Sequence, residues 1–242
     1  MRKLFCLLVV FAHFLLQAQN HLAIVNYKIH FNQKFDQEGS DVREYSGQLR
    51  VFNSSWSDFY MIPQRATVST ENSIEINQDT LWRVRTNLDE QELFFDDLFN
   101  EKLEPRWYAD SLFPMRWTIG DETKTIDSMV CNRAETSFRG RKYIAWFTYS
   151  IALPFGPWKL GGLPGLIVSI QDDDMNLMIS LTSYVQKKGK WDVRPVSGRS
   201  YEEYISKGNA LRNMMKMSAQ TSDCIDCVSK VKFHSWEKVF EE

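Results

Sequence analysis

Residues 156–167 read Gly-Pro-Trp-Lys-Leu-Gly-Gly-Leu-Pro-Gly-Leu-Ile, and no other stretch restricts the fold as strongly. Gly156, Pro157, Gly161, Gly162, Pro164 and Gly165 demand a loop, because Gly admits φ > 0 and Pro fixes φ while removing a donor. Trp158, Leu160, Leu163, Leu166 and Ile167 demand burial. An apolar loop with so many backbone constraints must press against something, since an exposed version is an aggregation-prone patch. Two roles fit. As a plug, the loop folds over an open end of a sheet and buries its leucines. As a binding surface, Trp146 and Trp158 offer flat apolar faces with one donor each, and the glycines let backbone approach a ligand. The plug is the preferred reading, because strictly apolar loops generally close cores.

The rest of the chain supplies a sheet for such a loop to meet. Residues 22–32 alternate, with Ala23, Val25, Tyr27, Ile29 and Phe31 on one face. Residues 47–53 and 56–62 are further strands, and 74–85 read as two short strands around Asn77-Gln78-Asp79. Residues 92–99 suit a strand or a short helix. Trp117-Thr118-Ile119 runs into a polar turn at Gly120-Asp121-Glu122-Thr123, returns through 124–138, turns at Arg139-Gly140-Arg141 and continues through 143–149. Polar turns between alternating segments are the hairpin signature, and consecutive hairpins make an antiparallel meander. After the loop, 167–171 and 177–186 pair around Asp172-Asp173-Asp174-Met175-Asn176, and 191–196 add a last strand. Ser200 and Glu203 form a capping box, followed by Tyr201, Tyr204, Ile205, Leu211, Met214 and Met215 at helical spacing to about Ser218. The expected class is therefore α+β, mainly β: a curved antiparallel meander sheet, open-barrel or bowl-like, with one C-terminal amphipathic helix.

Residues 1–18 read as a signal peptide. Arg2 and Lys3 precede an apolar run over 4–16, too short for a membrane span, and Ala18 is the small residue before cleavage. Cys6 lies at the start of the apolar run rather than at the cleavage point, so lipidation is not expected. Residues 19–242 then form a single domain, periplasmic or secreted, soluble and not inserted in the membrane. Losing Arg2 and Lys3 leaves 27 basic against 31 acidic residues, a formal charge of −4, with no basic run for nucleic acid.

Cys131, Cys224 and Cys227 remain after cleavage. An oxidising compartment favours pairing among them and leaves one thiol over. Cys224-Ile-Asp-Cys227 with His234, behind Met214, Met215 and Met217, also offers soft donors for copper or zinc. A disulfide is the favoured reading, and no cofactor is expected. Arg139, Arg141 and Lys142 read as solvated charges beside a turn, and Asp172 to Asp174 as a solvated hairpin tip lacking the Gly and distal Glu of a calcium loop. No nucleophile elbow, His-Glu-x-x-His or P-loop is present. The expected protein is non-catalytic. A carboxylate glycosidase is the alternative, because its acids need no proximity in sequence.

Several segments also resemble one family. Gly162 to Ile167 spell the signature of the GLPGLI proteins of the Gram-negative envelope. Trp117-Thr118-Ile119 with Lys124-Thr125-Ile126 resemble that family's W-x-I and K-x-I, and Cys131-Asn132-Arg133-Ala134 its C-x-K-A with Arg for Lys. Phe138-Arg139-Gly140-Arg141 with residues 143–148, and Ile151 to Pro154 with Gly156-Pro157, resemble its later motifs. The likeness covers residues 22–186 and carries over no catalytic residue. Members are often associated with TonB-dependent outer-membrane receptors. The resemblance thus implies an envelope binding or accessory role beside such a receptor, with a hydrolase of glycan or peptide and a soft-metal handler as alternatives. A fainter similarity links the chain to the bowl-shaped N-terminal domain of a secreted peptide-N-glycosidase.

Overall fold

The computed structural model describes residues 21–35, 39–63, 82–96, 107–189 and 196–221. The expected signal peptide, the strands at 74–81 and 191–195, and Cys224, Cys227 and His234 lie outside the described residues. The chain forms β1 (His21–Phe35), β2 (Gly39–Phe52), β3 (Trp56–Pro63), β4 (Trp82–Asn87), β5 (Glu92–Asp96) and β6 (Trp107–Ser111). It continues through β7 (Thr118–Ile126), β8 (Met129–Phe138), β9 (Arg141–Thr148), β10 (Leu166–Asp172) and β11 (Leu177–Lys188). Helix α1 spans Tyr201–Thr221. The described strands make one antiparallel sheet in the order β6-β5-β4-β3-β2-β1-β11-β10-β9-β8-β7.

This order forces the sheet to curl. It consists of two meanders joined through β1 and β11, so the edges are β6 and β7. Yet β6 ends at Ser111 and β7 begins at Thr118. That connection reaches at most about 25 Å when fully extended. Eleven strands laid flat would separate the edges by roughly 48 Å. The two edges must therefore approach each other, giving an open curved sheet and not a closed barrel.

The concave face holds the core. Val25, Leu49, Phe59, Val84, Phe95 and Tyr108 are successive cross-strand partners from β1 to β6, each at most 1% exposed. Ile29, Ile179, Ile170, Ala145 and Ala134 form the matching row from β1 to β8, again at most 1% exposed. The alternation of β1 is thus real: one face is buried, and a slip of one residue would turn the whole set outward. The opposite face is polar. Asn26, Gln48 and Arg50 are linked side chain to side chain, and Tyr60 lies between the guanidinium groups of Arg50 and Arg83 at 5.4 and 4.9 Å. Asp58 accepts from Arg85 at 2.8 and 2.9 Å, from Arg83 at 3.4 Å and from the Tyr60 hydroxyl at 2.9 Å.

One local expectation needs correction, and one open alternative is resolved. Residues 120–123 do not turn; they are absorbed in β7 as an irregularity between Ile119 and Thr123. The hairpin instead reverses at Asp127 and Ser128, with φ of 46° and 67°. Two consecutive positive φ values match the right-handed strand twist, which the polar Gly-Asp-Glu-Thr string does not require. Residues 92–96 are a strand rather than a helix, because Leu93 and Phe95 alternate onto the core while Asn87 Oδ1 accepts from the Asp89 and Glu90 amides to set the preceding turn. Helix α1 starts where the capping box places it, with the Glu203 amide donating to Ser200 Oγ at 3.3 Å. Among the described residues no helix is long and apolar enough to cross a membrane.

Candidate functional site

Between β9 and β10 the chain enters the concave side. Leu153, Phe155, Trp158, Leu160, Leu163 and Leu166 join the core and are at most 8% exposed. The loop satisfies much of its own backbone: Gly162 N donates to Pro154 O, Leu166 N to Ile151 O and Ile167 N to Phe155 O. Each glycine has a separate reason. Gly162 has φ of +84°, where side chains are disfavoured. A Cβ on Gly156 would meet Leu160 O at 2.7 Å, one on Gly161 would strike the Phe113 ring, and one on Gly165 would land on the Thr148 carbonyl oxygen. Pro157 is buried beside Trp158, whereas Gly162 and Pro164 are exposed.

The segment joining the two sheet edges locks onto this loop. Trp117 Nε1 donates to Gly161 O at 2.8 Å, and the Phe113 and Phe155 rings meet edge to face at 6.2 Å. Phe113 and Trp158 both have positive φ, 40° and 56°. Bulky residues adopt that region only when packing over-determines it. Tyr27, from β1, donates its hydroxyl across the core to Ile167 O at 2.9 Å, and burial pushes its pKa far above the ordinary phenol range.

A charged cluster sits beside the loop. Lys159 is 1% exposed, and its ammonium donates to Asp110 Oδ2 at 2.9 Å. It also lies 3.4 Å above the Phe95 ring, with Tyr201, Trp158 and Tyr204 at 5.3, 5.6 and 5.9 Å. Arg139 donates to Asp110 Oδ1 at 2.6 Å and stacks 3.7 Å over Tyr201. Hence β5, β6, the β8–β9 turn, the loop and the start of α1 share one electrostatic centre.

These placements revise the charged turn. Arg141 is buried and donates to Asp172 Oδ2 at 2.9 Å, while Asp172 Oδ1 accepts from the Leu177 amide at 2.9 Å. Arg141 and Asp172 are therefore interior ion-pair partners and Arg139 a partly buried one, rather than solvated charges, while Lys142, Asp173 and Asp174 are exposed. Sequence adjacency hid this, because each partner lies about 30 residues away: |i−j| is 29 for Arg139–Asp110 and 31 for Arg141–Asp172.

Trp146 and Trp158 do not share a cleft. Trp146 alternates with buried Ala145 and Phe147, so it faces away from the core, half-buried under Lys124 Nζ at 4.0 Å. Trp158 is inside. Cys131 is a buried thiol donating to Met129 O at 3.5 Å, and burial pushes its pKa up. Thiolate is the reactive form, so Cys131 should resist iodoacetamide in the folded protein and label in denaturant without reductant. Peptide mass mapping checks this; rapid labelling of folded protein would contradict it. Among the described residues no group of three or more His, Cys, Asp or Glu is placed to hold a metal.

Sequence reasoning missed a groove of about 660 Å³ on the convex face. Its walls are Pro114 and Arg116 from the edge-joining segment, Thr118 of β7, Glu135, Thr136 and Ser137 of β8, Lys142, Tyr143 and Ile144 of β9, and Asp173. Arg116 reaches it because Thr136 Oγ1 donates to Arg116 O at 2.9 Å, pinning that segment to β8. The residues span 60 positions of sequence and share no periodicity, so only the register of β7, β8 and β9 brings them together.

No family model matches the chain, and no curated protein matches it. Among solved structures it is similar to PNGF-II in two crystal forms, with TM-scores of 0.52 and 0.51 and sequence identities of 15% and 16%. The alignments cover 77% of this chain and 32% of PNGF-II, so the chain spans about a third of that protein's length. At such identity the likeness concerns the fold alone. The LolA superfamily protein NE2245 from Nitrosomonas europaea matches at TM-score 0.29 and 12% identity over 72% of this chain and 88% of that one, too distant to support the fold assignment.

Proposed function

We propose that this chain is a non-catalytic binding or accessory protein of the Gram-negative envelope, periplasmic or secreted, that holds a polar ligand on the convex face of its sheet. The observation that carries the reading is the division of the two faces. The concave face is occupied by the chain's own loop, while the convex face presents an open groove of ligand size whose lining mixes charged and hydroxyl side chains with Pro114, Tyr143 and Ile144. The ordered motifs shared with GLPGLI proteins support the envelope setting, and with it a working partnership with a TonB-dependent outer-membrane receptor. The signature loop then acts as scaffold, and the groove is the site.

Equilibrium dialysis against sugars and peptides released from Gram-negative envelopes, read by mass spectrometry, tests this. The expected result is a retained compound recovered unchanged, and lost when Ser137→Trp fills the groove at unaltered melting temperature. A compound recovered cleaved overturns the non-catalytic reading. No retention, or retention unaffected by Ser137→Trp, overturns the groove.

A further inference from the structure

Resting on that reading, we infer that the groove takes a carboxylated sugar, of the uronic-acid type. Four charged residues line it: Arg116, Lys142, Glu135 and Asp173. Glu135 is already engaged by Arg133, its neighbour on the same face of β8. Arg116 and Lys142 are exposed and form no ion pair among the described residues. Two cations facing one uncommitted carboxylate leave a formal excess of one positive charge. That balance suits a monoanion. A phosphomonoester brings about −1.5 to −2, more than that excess neutralises. Arg116 offers the planar fork that fits a carboxylate, and Lys142 a point charge beside it.

The remaining lining separates sugar from peptide. Thr118 and Ser137 place two exposed hydroxyls around the groove, while the Thr136 hydroxyl is turned inward to Arg116 O. Each exposed hydroxyl is both donor and acceptor. Sugar hydroxyls need such two-way partners. A peptide bound through its main chain needs a free strand edge, as in strand addition. The floor strands have none: β8 pairs with β7 on one side and β9 on the other, and β9 pairs onward with β10. The free edge of β7 borders the groove only at Thr118. The ligand is therefore read chiefly by side chains.

The test uses the full mature chain and amide NMR titration with three probes: a galacturonic acid trimer, the same trimer with its carboxyls reduced to alcohols, and tri-glutamate. The acidic sugar is expected to shift groove amides around Ser137 and Lys142 and to bind at least about tenfold more tightly than the reduced sugar, the size of one charge-assisted hydrogen bond. Arg116→Gln and Lys142→Gln should each weaken it by about tenfold with unchanged melting, because both side chains are exposed. Equal affinity for the reduced trimer overturns the carboxylate assignment and leaves the groove as a sugar site. Preference for tri-glutamate overturns the sugar assignment. Shifts from no probe overturn the carboxylated-sugar assignment, and the broader groove reading then stands or falls on the dialysis.

Discussion

Asp110→Ala should cost about 3–5 kcal/mol, among the largest losses available to a single side chain in this fold. Asp110 is almost fully buried and is the shared acceptor of Lys159 and Arg139, at 2.9 and 2.6 Å. Removing it takes the shared carboxylate from the buried ammonium of Lys159 and the partly buried guanidinium of Arg139. The aromatic box around Lys159 softens this but does not replace a carboxylate, since a cation–π contact contributes about 0.5–2 kcal/mol. The loss is also architectural. Asp110 stands on edge strand β6, Lys159 on the loop that fills the concave face, and Arg139 on the turn between β8 and β9. Their contact bridges the gap where the sheet fails to close. Urea unfolding of Asp110→Ala and of the double variant Asp110→Ala/Lys159→Met separates the causes. The double variant should regain much of the stability, because a thioether fits among Phe95, Trp158, Tyr201 and Tyr204 without needing a counter-ion. A loss below about 1 kcal/mol for the single variant would show that the cluster is not a keystone. A double variant no better than the single would remove the stranded ammonium as the cause.

What could be read from sequence here follows the range of the interaction. The alternation of Ala23, Val25, Tyr27, Ile29 and Phe31 is local, and it places β1 correctly. Ser200 and Glu203 lie three residues apart, and they mark the start of α1. The reversal at Asp127 and Ser128 was hidden because the Gly-Asp-Glu-Thr string is the more usual turn composition, while the backbone there is held by pairing with β8. Interior ion pairs are hidden more deeply. Lys159 and Asp110 are 49 positions apart; Trp158 and Leu160 mark the lysine as part of a buried loop, but nothing local names its partner. The groove is the extreme case. Its cations, Arg116 and Lys142, meet only after β7 pairs with β8, β8 with β9, and Thr136 holds the edge-joining segment. Trp146 shows the converse error: an indole near the loop in sequence is turned to the other face by a single step of strand alternation.

Gly165→Ala tests the loop as scaffold, for a reason the sequence did not supply. Composition suggests that Gly165 is needed for positive φ, but among these glycines Gly162 holds that role, at +84°. Gly165 is needed for approach: its missing Cβ is replaced by the carbonyl oxygen of Thr148, at the position where Leu166 pairs with that residue to begin β10. Backbone cannot yield as a flexible side chain can. Alanine there must push β10 away from β9, disturbing the pairing that inserts Leu163 and Leu166 into the core. The expected loss is about 3 kcal/mol or more, the upper range for overpacking. Gly162→Ala, exposed, strained in its own φ and with its new Cβ 3.2 Å from Phe113 Cβ, should cost about 1–2 kcal/mol. Leu166→Ala, fully buried, should cost about 2–5 kcal/mol through lost transfer energy and a cavity, and Trp158→Ala about 3–5 kcal/mol. Thermal melts of the four variants beside the parent give the order. If Gly162→Ala proves worse than Gly165→Ala, the close approach to Thr148 is not what the signature glycine supplies. If Leu166→Ala and Trp158→Ala both melt with the parent, the loop is not part of the core, and the ligand site must be sought there instead of in the groove.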